Sequence, residues 1–150
     1  MIALILPIID NKARHSLTHV WSKADLHTHS ATSDGAHDVD SMLAHVADKT
    51  DLRIIAITDH DVIEGALRAE QIAPRYGLRV VVGEEVSTLR GHLLALFIHE
   101  HIPPGLSLPE TVARVHAQGG LAIQAHALDM LANSPMRRWP WPTLAGWRSF

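Results

Sequence analysis

Twelve histidines in a chain of 150 residues that has no cysteine set the chemistry available to this protein. Histidine is the commonest metal ligand and the one side chain that titrates near neutrality unperturbed. The lack of cysteine excludes disulfides, thiolate zinc sites and cysteine nucleophiles together. His27 and His29 stand two apart, a spacing that on a strand turns both imidazoles to one face, where they can grip a single ion. Alone, that pair is equally well explained by two ordinary, satisfied histidines. It gains weight from the acids and histidines that recur in short polar clusters: Asp34-Gly35, Asp59-His60-Asp61, Glu84-Glu85, His92 and His126. Mixed imidazole and carboxylate donors suit zinc, manganese or iron. Neighbours on a strand face opposite sides, so only one of Glu84 and Glu85 can point into such a site. His99 and His101 repeat the two-apart spacing, but they precede two prolines, have no evident carboxylate companion and are assigned no metal role. His15, His19, His37, His45 and His116 fall in loops or helices and read as ordinary histidines. Lys23 reads as a solvated strand start.

The elements that must position these residues follow from hydrophobic periodicity. A strand is predicted over 24–29, then a polar loop, then a helix over 39–49 from the helical spacing of Val39, Met42, Leu43 and Val46. Residues 52–58 are short, β-branched and almost wholly apolar, which suits a strand buried on both faces. A helix over 62–76 stops near Gly77, and strands follow over 79–86 and 92–98. Ser107 and Glu110 form a capping box with Pro109 inside the first turn, opening a helix that runs to about residue 118. Gly119-Gly120 ends it, and a fifth strand covers 121–126. On this map His27 and His29 close the first strand, Asp59-His60-Asp61 follows the second, Glu84 and Glu85 end the third, and His126 ends the fifth. Chemistry in parallel α/β architectures gathers at those carboxyl ends. His92 opens its strand instead, so it needs an antiparallel or offset strand to reach the same place. Alternating strands and helices with buried strands predict parallel βα units. An open doubly wound sheet and a barrel both fit that alternation.

Composition bounds the function classes. Apolar residues make up 47% and charged residues 19% of the chain, enough to bury a core. Thirteen Lys and Arg against 16 Asp and Glu give a net charge of −3. That balance predicts no stable nucleic-acid partner, while leaving room for a small substrate phosphate. The apolar start, Met1 to Ile9, is far shorter than the roughly 20 residues of a membrane span, and it lacks the basic flank of a signal peptide. A cytoplasmic protein without membrane partners is expected. Residues 1–22 are given no function, 23–128 form the domain, and 129–150 are a non-matching tail that holds Trp139, Trp141 and Trp147.

The ordered motifs Asp25-Leu26-His27-Thr28-His29-Ser30 with Ser33-Asp34-Gly35, Thr58-Asp59-His60-Asp61, Gly83-Glu84-Glu85-Val86-Ser87, Gly91-His92-Leu93-Leu94 and Ala125-His126 resemble those of the PHP (polymerase and histidinol phosphatase) family. The match spans about 25–128, and its flavour is that of the small stand-alone metal-dependent phosphoesterases. The resemblance implies an α/β fold, a distorted (β/α)7 barrel, here incomplete with about five of the seven strands. It also implies two or three divalent ions, manganese, zinc or iron. Carried over residue by residue, His27 and His29 would bind the first ion and Glu85 would bridge the first and second. His92 and His126 would complete the second, and Asp34 and His60 would hold the third. Glu84 stands where the family tolerates apolar residues. The family's late Asp-x-His motif has no counterpart, since Asp129 is the only acid after His126 and no histidine follows it. Ala127 also replaces the usual proline. A truncated member of the family is therefore expected.

The function so implied is hydrolysis of a phosphomonoester or a nucleotide-like phosphodiester by a metal-activated water. No catalytic side chain is expected beyond the metal ligands. The partner would be a small phosphorylated substrate, with nucleotides and oligonucleotides within that class. Two alternatives stand beside it. One is a weakly active or inactive metal-binding remnant of such an enzyme. The other is a metal-dependent amidohydrolase, which also begins with His-x-His but usually needs a later bridging lysine, and no lysine follows Lys49.

Overall fold

The computed structural model describes residues 22–125. His126, the apolar N-terminal run and the tryptophan-rich tail lie outside the described residues. In chain order the elements are β1 (Lys23–Asp25), α1 (Val39–Lys49), β2 (Leu52–Ile57), α2 (Glu64–Ile72) with a 3-10 turn at Ala73–Tyr76, β3 (Arg79–Thr88), β4 (Gly91–Leu96), α3 (Leu108–Ala117) and β5 (Leu121–Gln124).

Local chemistry accounts for the helix ends. Asp38 caps α1 by accepting from Ser41 N at 2.8 Å, satisfying a backbone donor that the first turn leaves without a partner. The turn after α2 ends at Gly77, whose φ of 67° lies in the left-handed region that glycine enters at no steric cost. Ser107 and Glu110 form the reciprocal capping box of α3. Lys23 is exposed and ion-paired with Asp51.

The five strands form one sheet in the order β1-β2-β3-β4-β5. The pairs β1–β2 and β2–β3 are parallel, but β3–β4 and β4–β5 are antiparallel. The expected run of parallel βα units therefore breaks after β3. Only Leu89 and Arg90 separate β3 from β4, and a parallel crossover needs a dozen residues or more. The hairpin pairs Ser87 with His92 and Glu85 with Leu94. This reversal brings His92, at the start of its strand, to the end of the sheet where Glu85 lies. The first strand is also shorter than expected, ending at Asp25 rather than at residue 29.

Alternate residues divide the buried side chains into two layers. Ile55, Ile57, Val82 and Val86 pack with Leu43, Ala66 and Val115 from the three helices. Ile54, Ala56 and Val81 face the other way and pack with Ala24, Leu26 and Leu96. The sheet thus curls toward a barrel, with the helices on its outer face. No described helix is long and apolar enough to cross a membrane.

Candidate metal centre

His27 and His29 lie beyond the last residue of β1, yet their segment stays stitched to the end of β2. Thr28 Oγ1 donates to Ala56 O at 2.6 Å, and Thr58 N donates to Thr28 O at 2.8 Å. With Thr28 bound to its neighbour, the histidines on either side of it leave together. Their Nε2 atoms are 3.0 Å apart, and both meet Glu85 Oε2, at 2.8 Å from His27 and 3.0 Å from His29. The other oxygen of the same carboxylate, Oε1, lies 3.1 Å from His92 Nδ1 across the hairpin. His60 forms a bridge with Glu85 in the backbone. Its Nε2 is 3.8 Å from Glu85 Oε2 and 3.7 Å from Asp34 Oδ2. Asp34 Oδ1 completes the outline 3.3 Å from His29 Nδ1.

Three overlapping groups result: His27, His29 and Glu85; His29, Asp34 and His60; and His60, Glu85 and His92, with donor atoms within 4.8 Å of one another in each group. The described residues thus bring together six of the seven positions singled out in the sequence. The seventh, His126, lies outside them. His37 and His45 belong to none of the groups and line a cleft of about 400 Å³ together with Met42 and Leu52.

The electrostatics favour cation binding. Glu85 is fully buried, which pushes its pKa up. The hydrogen bond and charge of His27, with the charges of His60 and His29, outweigh burial and hold the pKa at about 2 instead of 4.5. Burial moves His29 the other way and lowers its pKa, with His60 and His27 adding to the effect against the pull of Glu85 and Asp34. An ionised carboxylate and a neutral imidazole are the forms that ligate metals. The donor set fits a divalent ion on a further observation: His29 Nδ1 is buried and has no hydrogen-bond partner. The Nε2 atoms of His27 and His29, 3.0 Å apart on one oxygen of Glu85, are a mixed imidazole and carboxylate donor set of the kind that suits such an ion.

Glu84 faces the opposite layer. It is fully buried, with Oε2 accepting from Ile102 N at 3.2 Å and Oε1 2.9 Å from His101 Nδ1. The carboxylate companion that the sequence does not reveal for His101 is therefore Glu84, and the pair fastens the segment after β4. His99 uses its backbone N–H on Gln118 Oε1 at 2.9 Å. The two aspartates that flank His60, part of the same polar cluster in the sequence, have roles that the sequence does not reveal. Asp61, at φ 52°, accepts from Ser87 N and from Ser87 Oγ, each at 2.6 Å. Asp59 takes donors from the loop after His29. The available signal was the short polar serines Ser30, Ser33 and Ser87, placed within the same motifs.

Gly35 closes that loop because no side chain fits there. A Cβ would stand 2.2 Å from His29 O, a backbone atom that cannot swing away. Gly35→Ala is expected to cost about 1–3 kcal/mol by overpacking and to displace Asp34. Urea unfolding midpoints of the two proteins, side by side, check the first effect.

The sequence profile of the PHP domain matches residues 25–132. The chain is 37% identical over 115 residues to an uncharacterized protein of Methanocaldococcus jannaschii, a match covering 69% of this chain and 67% of that protein. It is 37% identical over 100 residues to phosphoribosyl 1,2-cyclic phosphate 1,2-diphosphodiesterase of Eggerthella lenta, a match covering 62% of this chain but only 38% of the relative. The fold is similar to a Bacteroides vulgatus two-domain protein containing a predicted PHP-like metal-dependent phosphoesterase. That similarity has a TM-score of 0.64 at 20% identity and covers 79% of this chain and 39% of the other. The curled five-stranded sheet is that of an incomplete (β/α)7 barrel of this kind.

Proposed function

The chain belongs to the PHP domain family, and from that premise we propose that it is a metal-dependent phosphoesterase acting on a phosphomonoester or a nucleotide-like phosphodiester. The observation that carries this reading is the division of one buried carboxylate between two sets of imidazoles. Glu85 Oε2 faces His27 and His29 while Oε1 faces His92, the arrangement a bridging ligand requires. In this reading His27, His29 and Glu85 hold one ion, Glu85 and His92 with His126 hold a second, and Asp34 and His60 beside His29 hold a third. Divalent ions there supply Lewis acidity at the phosphoryl oxygens and lower the pKa of water enough to give hydroxide near neutrality.

The chain's own residues do the rest. His27, His29 and His92 orient the ions, and the ionised Glu85 offsets part of their charge. Held by these residues, two ions would supply charge stabilisation to both the attacking and the leaving oxygen of a displacement, which suits a chain that has no cysteine nucleophile. The diphosphodiesterase relative supports a phosphoester bond as the target. The same reading takes the protein as cytoplasmic, with manganese, zinc or iron as the ion and a small phosphorylated molecule as the partner.

The test is to load purified protein with manganese and offer p-nitrophenyl phosphate, bis-p-nitrophenyl phosphate and a p-nitroanilide. Nitrophenol release that EDTA abolishes and added manganese restores is the expected result. Hydrolysis of the anilide alone would favour an amidohydrolase. Tight manganese binding with no turnover would favour a metal-binding remnant.

A further inference from the structure

We propose that Asp59 is a positioning residue: it holds the loop that carries Asp34 and so sets the metal position of Asp34 and His60, beside His29. The proposal rests on the metal-centre reading above. Asp59 is fully buried two residues beyond β2, and its oxygens belong to none of the three candidate ligand groups. Its donors all come from the loop after His29. Oδ1 accepts from Ser30 N at 2.6 Å and from Ser33 Oγ at 2.8 Å, and Oδ2 accepts from Ser30 Oγ at 2.7 Å. A carboxylate is costly to bury unless it is hydrogen-bonded, and here all three bonds are spent on one short turn.

Ser30 is the pivot of that turn. Its carbonyl accepts from Ser33 N at 3.1 Å and from Gly35 N at 2.9 Å, so Asp34 hangs between two anchored residues. The Asp34 side chain itself is 67% exposed, and its contacts with His29 and His60 are 3.3 and 3.7 Å long. Contacts of that length in contact with water do not fix a loop. The far side of Asp59 is closed by Gly65 at the start of α2, where a Cβ would stand 2.3 Å from Asp59 Oδ2. The carboxylate therefore has one resting place, and the nearby positive end of the helix favours it there.

The experiment titrates manganese into metal-free wild type, Asp59→Asn, Ser33→Ala and Asp34→Ala, reading sites per chain and affinities by calorimetry, with the manganese spin-resonance spectrum as a second signature. Asp34→Ala identifies the ion in question. Asp59→Asn, which keeps the shape but turns one acceptor into a donor, is expected to weaken that same ion at least tenfold and to spare binding at Glu85. Ser33→Ala, which removes one bond at a partly exposed position, is expected to weaken it a few-fold. If Asp59→Asn fails to fold, Ser33→Ala decides. Unchanged affinity in Ser33→Ala, equal weakening of every ion in Asp59→Asn, or no change in any ion in Asp34→Ala would each overturn the proposal. Ion binding alone is measured, so a protein that binds manganese in this pattern without hydrolysing phosphoesters sinks the enzymatic reading and leaves this one standing.

Discussion

Glu85→Gln is expected to strip ions from both sides of the shared carboxylate, whereas His60→Ala weakens mainly the side that holds Asp34. Glu85 presents one oxygen to His27 and His29 and the other to His92, at separations from 2.8 to 3.1 Å. A glutamine replaces one of those oxygens with an NH2 group, which carries no lone pair for a cation. It also removes the single negative charge on which four imidazoles converge. Changes to groups that only support a ligand already cost about 10–100-fold in metal affinity, so loss of a shared ligand should cost roughly 100-fold or more. The measurement is metal content per chain after desalting, for both purified variants. Equal losses would rule out a bridging role for Glu85. Hydrolysis of the diester substrate should fall in parallel with metal content, because the donor set and the ions form one unit.

The metal-free protein is expected to lose stability in two stages as the pH falls. His29 has a pKa lowered from 6.5, chiefly by burial. The unfolded chain therefore takes up that proton first, and stability starts to fall below about pH 6.5. Glu85 has a pKa depressed from 4.5 to about 2: burial raises it, but the hydrogen bond and charge of His27, with His60 and His29, overcome that rise. Its contribution is complete above pH 4.5 and is lost as the pH falls toward 2, which amounts to about 3 kcal/mol at most. Glu84 runs the other way. Burial raises its pKa against the hydrogen bond from Ile102 and the charge of His101, so its contribution is greatest when it is protonated and shrinks as the pH rises through its folded value. Urea midpoints of EDTA-treated protein from pH 8 to pH 3 should show both acid stages. Glu85→Gln should flatten the second stage and, by removing the charge that holds the His29 pKa up, enlarge the first, and Glu84→Gln should gain on wild type toward high pH. A second stage of undiminished size in Glu85→Gln would show that other carboxylates produce it.

Much of this structure can be read from local sequence. The apolar spacing of Val39, Leu43 and Val46 and the caps at Asp38 and Ser107 define α1 and α3, because a helix buries one stripe and must satisfy its own ends. The β-branched run of β2 is legible for a similar reason. The direction of β4 is legible only in part: the place of His92 at a strand start calls for an antiparallel or offset strand, and the two-residue turn between Thr88 and Gly91 makes it antiparallel. The grouping of His27, His29, Asp34, His60, Glu85 and His92 is what the resemblance carried by the ordered motifs implies, whereas nothing local points to the partners of Glu84. His101 lies 17 residues further on and approaches only because the segment after β4 folds back across the sheet, a long-range contact that no local pattern encodes. The role of Asp59 was hidden likewise, since its three donors lie 26 to 29 residues earlier in the chain.

Glu84 and Glu85, side by side on β3, also pose a problem of pairing fidelity. The side-chain period of a strand is two, so a slip of one residue exchanges its faces. In most strands such a slip exposes the error at once by burying a polar group where an apolar one belongs. Here a slip in one direction would put Glu84 in the place of Glu85, and a glutamate would still meet the histidines. The discrimination therefore comes from the flanking residues. Gly83 sits where any Cβ would be 2.9 Å from Ala95 O and 3.0 Å from Thr58 and Leu96 side-chain atoms, so neither Val82 nor Glu84 can take its place. Ser87 binds Asp61 through both its N–H and its hydroxyl, and Val86, which that slip would put in its place, has no hydroxyl to donate. A residue too small to replace and a residue doubly hydrogen-bonded thus bracket a duplicated one. They ensure that the glutamate delivered to the histidines is Glu85.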